Sequence, residues 1–453
     1  MVEHKSKNKS YEIDMCSGKL LPKILLFSLP LMASGILQLL FNAADIVILG
    51  RFSGNHALAA VGATSTLINL LVNLFIGLSV GVNVQIARFC GAGKEKDIEE
   101  TVHTAVLTSV IAGVILTVIG VLFARPMLRM MGTPEEVIEQ AVLYMQIYFL
   151  GITGMLIYNF GAAVLRGIGD TRRPLYILFA AGIINVIFNL IFVICFDMGV
   201  AGVAMATSIS QFLSAGLILC CLIGLEGSCH LDIRRLRIVP FQLKEMARIG
   251  IPASLQGVVF NISNVLIQSS VNSFGTLAMA GNTAADNITG FTYVAMNTFQ
   301  YSALSFISQN YGARQYRRIT KVVFICLGLV TVTGLVLGNG VYLAGNLLLR
   351  IYSGDAETIS YGLLKLSIVS ITHFLCGQME VMGGVMRGLG HSTAAMIVSM
   401  VGGCGLRVVW IFTVFSICRS LDVLFISYPV SWAATLLTHV VCVLVVKRKY
   451  MGR

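Results

Sequence analysis

The sequence predicts an all-α polytopic membrane protein, with twelve transmembrane helices in two parallel-repeat six-helix bundles. The first observation is composition: of 453 residues only 12% are charged and 56% are hydrophobic. A soluble domain carries about 25% charged residues. The second is a recurrence of apolar runs, each long enough to cross about 30 Å of hydrocarbon. The third is internal repetition, with the same short motifs returning in the same order in the second half of the chain.

The runs lie at 24–49, 59–87, 104–124, 141–164, 174–196 and 199–224, then at 252–274, 281–308, 322–345, 361–386, 393–417 and 424–446. They divide the chain into a cytoplasmic N-terminal segment (1–23), a first lobe (24–225), a cytoplasmic linker (226–248), a second lobe (249–446) and a cytoplasmic tail (447–453). With the N-terminus cytoplasmic, 25 Lys and Arg fall on the inner side and five outside, namely Arg51, Arg125, Arg129, Arg350 and Arg419. Lys365 and Arg407 fall within spans. This bias follows the positive-inside rule and places both termini in the cytoplasm. The net charge of +11 is therefore a topology signal, and no nucleic-acid partner is expected. Residues 1–23 show no cleavable signal peptide. The 11 cysteines have no paired metal spacing and read as small apolar packing residues.

The repeat has an offset of about 221 residues. Phe27-Ser28-Leu29-Pro30 matches Ile249-Gly250-Ile251-Pro252, and Arg88-Phe89-Cys90-Gly91-Ala92-Gly93 matches Gln309-Asn310-Tyr311-Gly312-Ala313-Arg314. Leu165-Arg166-Gly167-Ile168-Gly169-Asp170-Thr171 matches Met386-Arg387-Gly388-Leu389-Gly390-His391-Ser392. Several matches at one offset define a repeat. Six spans per copy keep both copies the same way up, a parallel arrangement suited to two lobes rocking about a cleft.

One span carries an unusual residue. Asp45 interrupts the first apolar run, and a charge inside a spanning helix usually faces a cavity or a partner. Taking each helix at a rise of 1.5 Å per residue, Asp45, Asn185, Asn189 and Thr207 all reach middle-to-outer depth in the first lobe. Asn185 and Asn189 share a helix face at i, i+4. Asparagines in spans also serve as plain helix–helix glue. A carboxylate removed from water settles either by taking a proton or by binding a cation, and amide and hydroxyl oxygens complete a hard-cation shell.

The Ser28-Leu29-Pro30 start of span 1, its Asn42-x-x-Asp45 pattern, the Leu165–Thr171 and Gln309–Ala313 loops, and Gly199–Thr207 resemble the multidrug and toxic compound extrusion (MATE) transporters. The resemblance runs from about Lys19 to Arg448, in both repeats. It implies a secondary antiporter that exports organic, often cationic drugs or toxic compounds in exchange for H⁺ or Na⁺. It also implies a first-lobe cation site, with Na⁺ or a proton held at Asp45, Asn185, Asn189 and Thr207. The departure is Asn189, where the family often has aspartate, which leaves Asp45 as that lobe's one intramembrane acid.

In the second lobe the position equivalent to Asp45 is apolar. Charge candidates there are Glu380, Arg407 and Asp286, with Glu380 and Arg407 expected to pair with each other or to line a cavity. Asp286 reads equally as interfacial. Gln38, Gln256 and Asn297 are further cavity candidates. No Walker loop, nucleophile elbow or zinc motif is present in the sequence, so no enzyme activity and no cofactor beyond the coupling ion are expected. The expected partners are small organic cations and the lipid bilayer, and the expected location is the plasma membrane, with the protein acting as a monomer. The alternative is a flippase for a lipid-linked saccharide. Its anionic substrate fits poorly with intramembrane acids that outnumber bases.

Overall fold

The computed structural model describes residues 11–451. The first ten residues of the expected N-terminal segment and the last two of the expected tail lie outside them. Every regular element among the described residues is helical. This is the expected outcome for a chain whose backbone N–H and C=O groups must be satisfied without water.

The helices of the first half are α1 (Leu20–Phe52), α2 (Gly54–Ala92), α3 (Glu95–Met130), α4 (Glu135–Gly167), α5 (Arg172–Leu190) and α6 (Gly199–Ile223). Those of the second are α7 (Pro240–Asn272), α8 (Thr276–Gly312), α9 (Tyr316–Leu343), α10 (Gly345–Arg350), α11 (Ala356–Lys365), α12 (His373–Gly388), α13 (Ser392–Ser399), α14 (Leu406–Phe412), α15 (Val414–Ile417) and α16 (Leu421–Met451). Three π-helical turns interrupt them, at Ile191–Cys195, Leu366–Ser370 and Met400–Gly405.

Among the described residues, ten helices are long and apolar enough to cross a membrane, or up to eleven if Ala356–Ser370 and His373–Gly388, bent by 46°, form one span. The expected twelve is not reached on these criteria. The shortfall falls at α8: its 37 residues are ample in length, but Asn282, Asp286, Asn287, Asn297 and Gln300 dilute its apolar character.

The chain packs as two compact units. One is Ala33–Ser254 with the residues ending at Asp14; the other is Leu255–Arg453 with Met15–Met32. Each unit thus contains the first turns of the helix that leads the opposite repeat. In the second unit, Phe27 of α1 meets Phe306 edge to face at 5.6 Å, and the Ser28 and Ser302 hydroxyls hydrogen-bond at 2.7 Å. In the first unit the matching positions are Gly250 and Gly81, and a Cβ on Gly81 would lie 3.2 Å from the Gly250 nitrogen. The same crossing is held by a hydroxyl pair in one unit and by close glycine approach in the other.

The repeated loops also share geometry. Asp170 N–H donates to Leu165 O at 2.9 Å and His391 N–H donates to Met386 O at 2.9 Å. Both turns pass through a left-handed glycine, Gly169 at φ +94° and Gly390 at φ +88°. Such C-terminal turns satisfy the last helical carbonyls.

Candidate functional site

In the first unit α1 and α5 approach closely because Gly182 has no side chain. A Cβ there would sit 1.8 Å from the Phe41 ring. Phe41 is one turn before Asp45, and Gly182 is about two turns before Asn189, so this contact sets the spacing of the polar groups beyond it.

Those groups form a continuous chain. Asn189 Nδ2 donates to Asp45 Oδ1 at 2.5 Å and to Asn185 Oδ1 at 3.2 Å. Asn185 Nδ2 donates to Thr207 Oγ1 at 3.4 Å, and the threonine hydroxyl donates to Val203 O at 2.9 Å. The Asn189 amide nitrogen lies between two acceptors, which fixes its orientation. The bonds run outward from the Asn189 amide, one way to the Asp45 carboxylate and the other through Asn185 and Thr207 to the Val203 carbonyl. Asn189 is completely buried, Asn185 nearly so, and Asp45 half-buried.

One acceptor is left over. Asn189 Oδ1 is buried with no hydrogen-bond partner. Unsatisfied buried acceptors are rare and costly, and in native structures they usually have a reason. Beside a half-buried carboxylate, this oxygen suits a positive species. A proton on Asp45 would supply an O–H donor, and a hard cation would take the amide, carboxylate and hydroxyl oxygens as ligands. The residues present therefore fit Na⁺ as well as H⁺. Just beyond Asn189 the helix loosens into the Ile191–Cys195 π turn, a distortion frequent at functional sites.

All four expected first-lobe residues are thus brought together. Tyr144 and Tyr148, stacked at 6.1 Å, lie within electrostatic reach of Asp45 and were not among the candidates. Gly182 was not either. Its signal was a glycine one turn before Asn185 in an otherwise bulky helix face.

The second-unit candidates are placed differently. Arg407 and Glu380 form no ion pair among the described residues; the Arg407 guanidinium instead donates to Ser431 Oγ at 2.9 Å. Asp286, whose side chain is 53% exposed, pairs with Lys365, which is 1% exposed. Lys365 Nζ also donates to Asn282 Oδ1 at 2.8 Å, and Asn282 Nδ2 donates to Asp286 Oδ2 at 3.1 Å and to Gln268 Oε1 at 2.7 Å. Gln256 is buried and accepts from Arg387 Nη2 at 2.7 Å. Gln38 is exposed, and Asn297 is half-buried with an unpartnered Oδ1. Lys365, as a charge within a span, and Asp286 were both noticeable in the sequence, but their pairing was not.

The MatE family model matches residues 30–191 and, again, 252–413. The chain belongs to the MATE family. It is 28% identical over 421 residues to the probable multidrug resistance protein YoeA of Bacillus subtilis, covering 91% of each chain. To the probable multidrug resistance protein NorM of Thermotoga maritima it is 24% identical, covering 84% of this chain and 82% of NorM. An outward-facing multidrug resistance MATE transporter superposes with a TM-score of 0.91 at 21% identity, over 97% of this chain and 98% of that one. MATE in its straight conformation gives 0.90 at 20% identity, over 97% and 98%. These structures establish the fold. The protein is a multi-span membrane transporter of the MATE multidrug efflux family.

Proposed function

We propose that this MATE transporter is a secondary antiporter of the plasma membrane. It exports small organic, often cationic drugs or toxic compounds in exchange for H⁺ or Na⁺. Asp45 is the group that carries the incoming charge, with Asn189, Asn185 and Thr207 as its neutral partners. The observation that supports this best is the unpartnered buried Asn189 Oδ1 beside the carboxylate.

Transport then works by population shift. Two six-helix lobes expose the site alternately to either side of the membrane, and twelve spans result when α8 and the bent α11–α12 pair are counted. The ion stabilises one state and the exported compound the other, each in proportion to its differential affinity. Both termini are cytoplasmic by the Lys and Arg distribution. Relatives named as multidrug resistance proteins support the substrate class.

The test is ethidium movement in proteoliposomes, driven separately by a pH gradient and by a Na⁺ gradient. At least one gradient drives transport by the wild type, and neither drives it in Asp45→Asn. Transport by the variant at the wild-type rate would refute the role of Asp45.

A further inference from the structure

The first unit holds a charged cavity that shares no residue with the Asp45 cluster, and hydrogen bonds fix its depth. The apolar run of α3 begins at Thr104. The linker between α6 and α7 is fastened at that level. Asp232 N–H donates to His103 Nε2 at 3.2 Å, and Val239 N–H donates to Thr104 Oγ1 at 3.1 Å. His103 Nδ1–H in turn donates to Glu99 O at 2.7 Å. Residues 232–239 therefore run beside the end of the span. At a rise of about 1.5 Å per residue, Glu99 to His103 occupy the first ~8 Å outside it. That is comparable to the thickness of one headgroup layer, about 5–8 Å.

The cavity, of about 300 Å³, lies between α3 and this linker and is lined by Lys96, Glu99, Glu100, His103, Arg235 and Arg237. Both signs of charge face it. Arg235 lies 3.6 Å from Glu99 and 3.2 Å from Asp232, and Arg237 lies 3.4 Å from Glu100. Both arginine side chains are largely exposed, so these pairs are loose and solvated. A guanidinium carries five N–H donors, so each keeps donors to spare. Lys96 has no ion pair among the described residues.

The same face of α3 continues from the cavity into the hydrocarbon. Lys96, Glu100 and His103 follow one another at steps of four and three residues. Further steps of three or four land on Leu107, Ile111, Val114 and Val118, so all share one stripe. Ile111, Val114 and Val118 are 43%, 52% and 49% exposed. A charged cavity at headgroup depth that leads onto an exposed apolar stripe matches an amphiphile: its polar end fits the cavity and its chains the stripe.

We propose that this face of α3, with the linker, binds a membrane phospholipid that carries an ethanolamine headgroup. Lys96 and the spare N–H groups of Arg235 and Arg237 take the phosphate, the arginines as planar forks. Glu99 and Glu100 accept hydrogen bonds from the ammonium, and the acyl chains lie along Leu107, Ile111, Val114 and Val118. The mixed lining selects among lipids. A glycerol headgroup answers the cations but brings no positive charge to the two carboxylates. A choline headgroup brings the charge without an N–H to donate. The bound lipid bridges α3 and the linker, and so fastens the segment that leads into α7 more firmly than His103 and Thr104 do alone.

Native mass spectrometry of the delipidated full chain in detergent reads the binding, with dioleoyl phosphatidylethanolamine, phosphatidylglycerol and phosphatidylcholine as probes. The wild type binds the ethanolamine lipid about tenfold more tightly than either of the others. Lys96→Gln removes a phosphate contact and weakens the ethanolamine and glycerol lipids alike, by about threefold or more. Arg237→Gln does the same, which keeps the test open should the Lys96 variant not fold. Glu99→Gln weakens the ethanolamine lipid alone and brings it close to the glycerol lipid. Glycerophosphoethanolamine, the same headgroup without acyl chains, does not displace the lipid at about tenfold excess. Equal binding of the three lipids, preference for the glycerol or choline lipid, or an ethanolamine preference untouched by Glu99→Gln overturns the proposal. So does unchanged binding in both phosphate-contact variants, or displacement by the chain-free headgroup.

Discussion

The two halves of this chain repeat the same loops and the same crossing of the leading helix, yet they treat charge in opposite ways. The first unit has one intramembrane carboxylate, Asp45, surrounded by amides and a hydroxyl that carry none. The second has Lys365 and Arg407 among aromatic rings, with Asp286 answering only one of them. Duplication preserved the scaffold, where glycine turns and helix contacts leave few options. The buried polar side chains differ between the units. On the proposed reading the first unit accepts positive charge, whereas the second buries Lys365, Arg387 and Arg407, with Asp286 paired to Lys365.

The largest effect should come from Asp45. Asp45→Asn leaves the helices in place and lowers ion-driven ethidium transport by about tenfold or more, measured in proteoliposomes. Asn189→Asp sharpens the contrast by adding a second carboxylate. Its expected result is tighter cation binding, read as Na⁺-dependent thermal stabilisation that the wild type lacks or shows more weakly.

In the second unit the ion pair should break asymmetrically. Asp286→Asn leaves the buried Lys365 without its counter-charge and costs about 3–5 kcal/mol. Lys365→Met leaves a half-exposed carboxylate and costs about 1 kcal/mol. Thermal unfolding of the two variants in detergent reads the difference; equal losses would argue that Lys365 is not truly dry.

Packing gives a smaller effect in the first unit. Gly182→Val drives a side chain into Phe41 and costs about 1–3 kcal/mol. The same change separates α1 from α5, so transport falls further than stability alone explains. The smallest effect lies in a loop: Arg314 is left-handed at φ +57°, where the first repeat has Gly93 at φ +67°. Arg314→Gly removes about 1 kcal/mol of strain and raises the unfolding temperature slightly.

The sequence made depth legible and left rotation obscure. Apolar run lengths placed the helices, and counting residues from the ends of the runs put Asp45, Asn185, Asn189 and Thr207 at compatible heights. All four do meet. The same counting could not say which way each helix face turns; of the two expectations for Arg407, the pair with Glu380 does not form among the described residues, and Arg407 lies against Ser431 and Tyr428. Nor could it see that Lys365, counted only as a charge within a span, is the partner of Asp286. The run at 281–308 reads as a span in the sequence, whereas α8 is too polar to pass as one by length and apolarity. The close approach at Gly182 was invisible for a different reason. A glycine in a span is common, and only the Phe41 ring opposite shows why this one matters.

The central claim is that Asp45 carries the exchanged charge, and linkage measures it directly. Tetraphenylphosphonium affinity of the purified wild type should weaken as H⁺ or Na⁺ concentration rises, because ion and exported cation favour different states. The account predicts that Asp45→Asn still binds tetraphenylphosphonium but with an affinity indifferent to both ions. An Asp45→Asn variant that retains the wild-type ion dependence would contradict it.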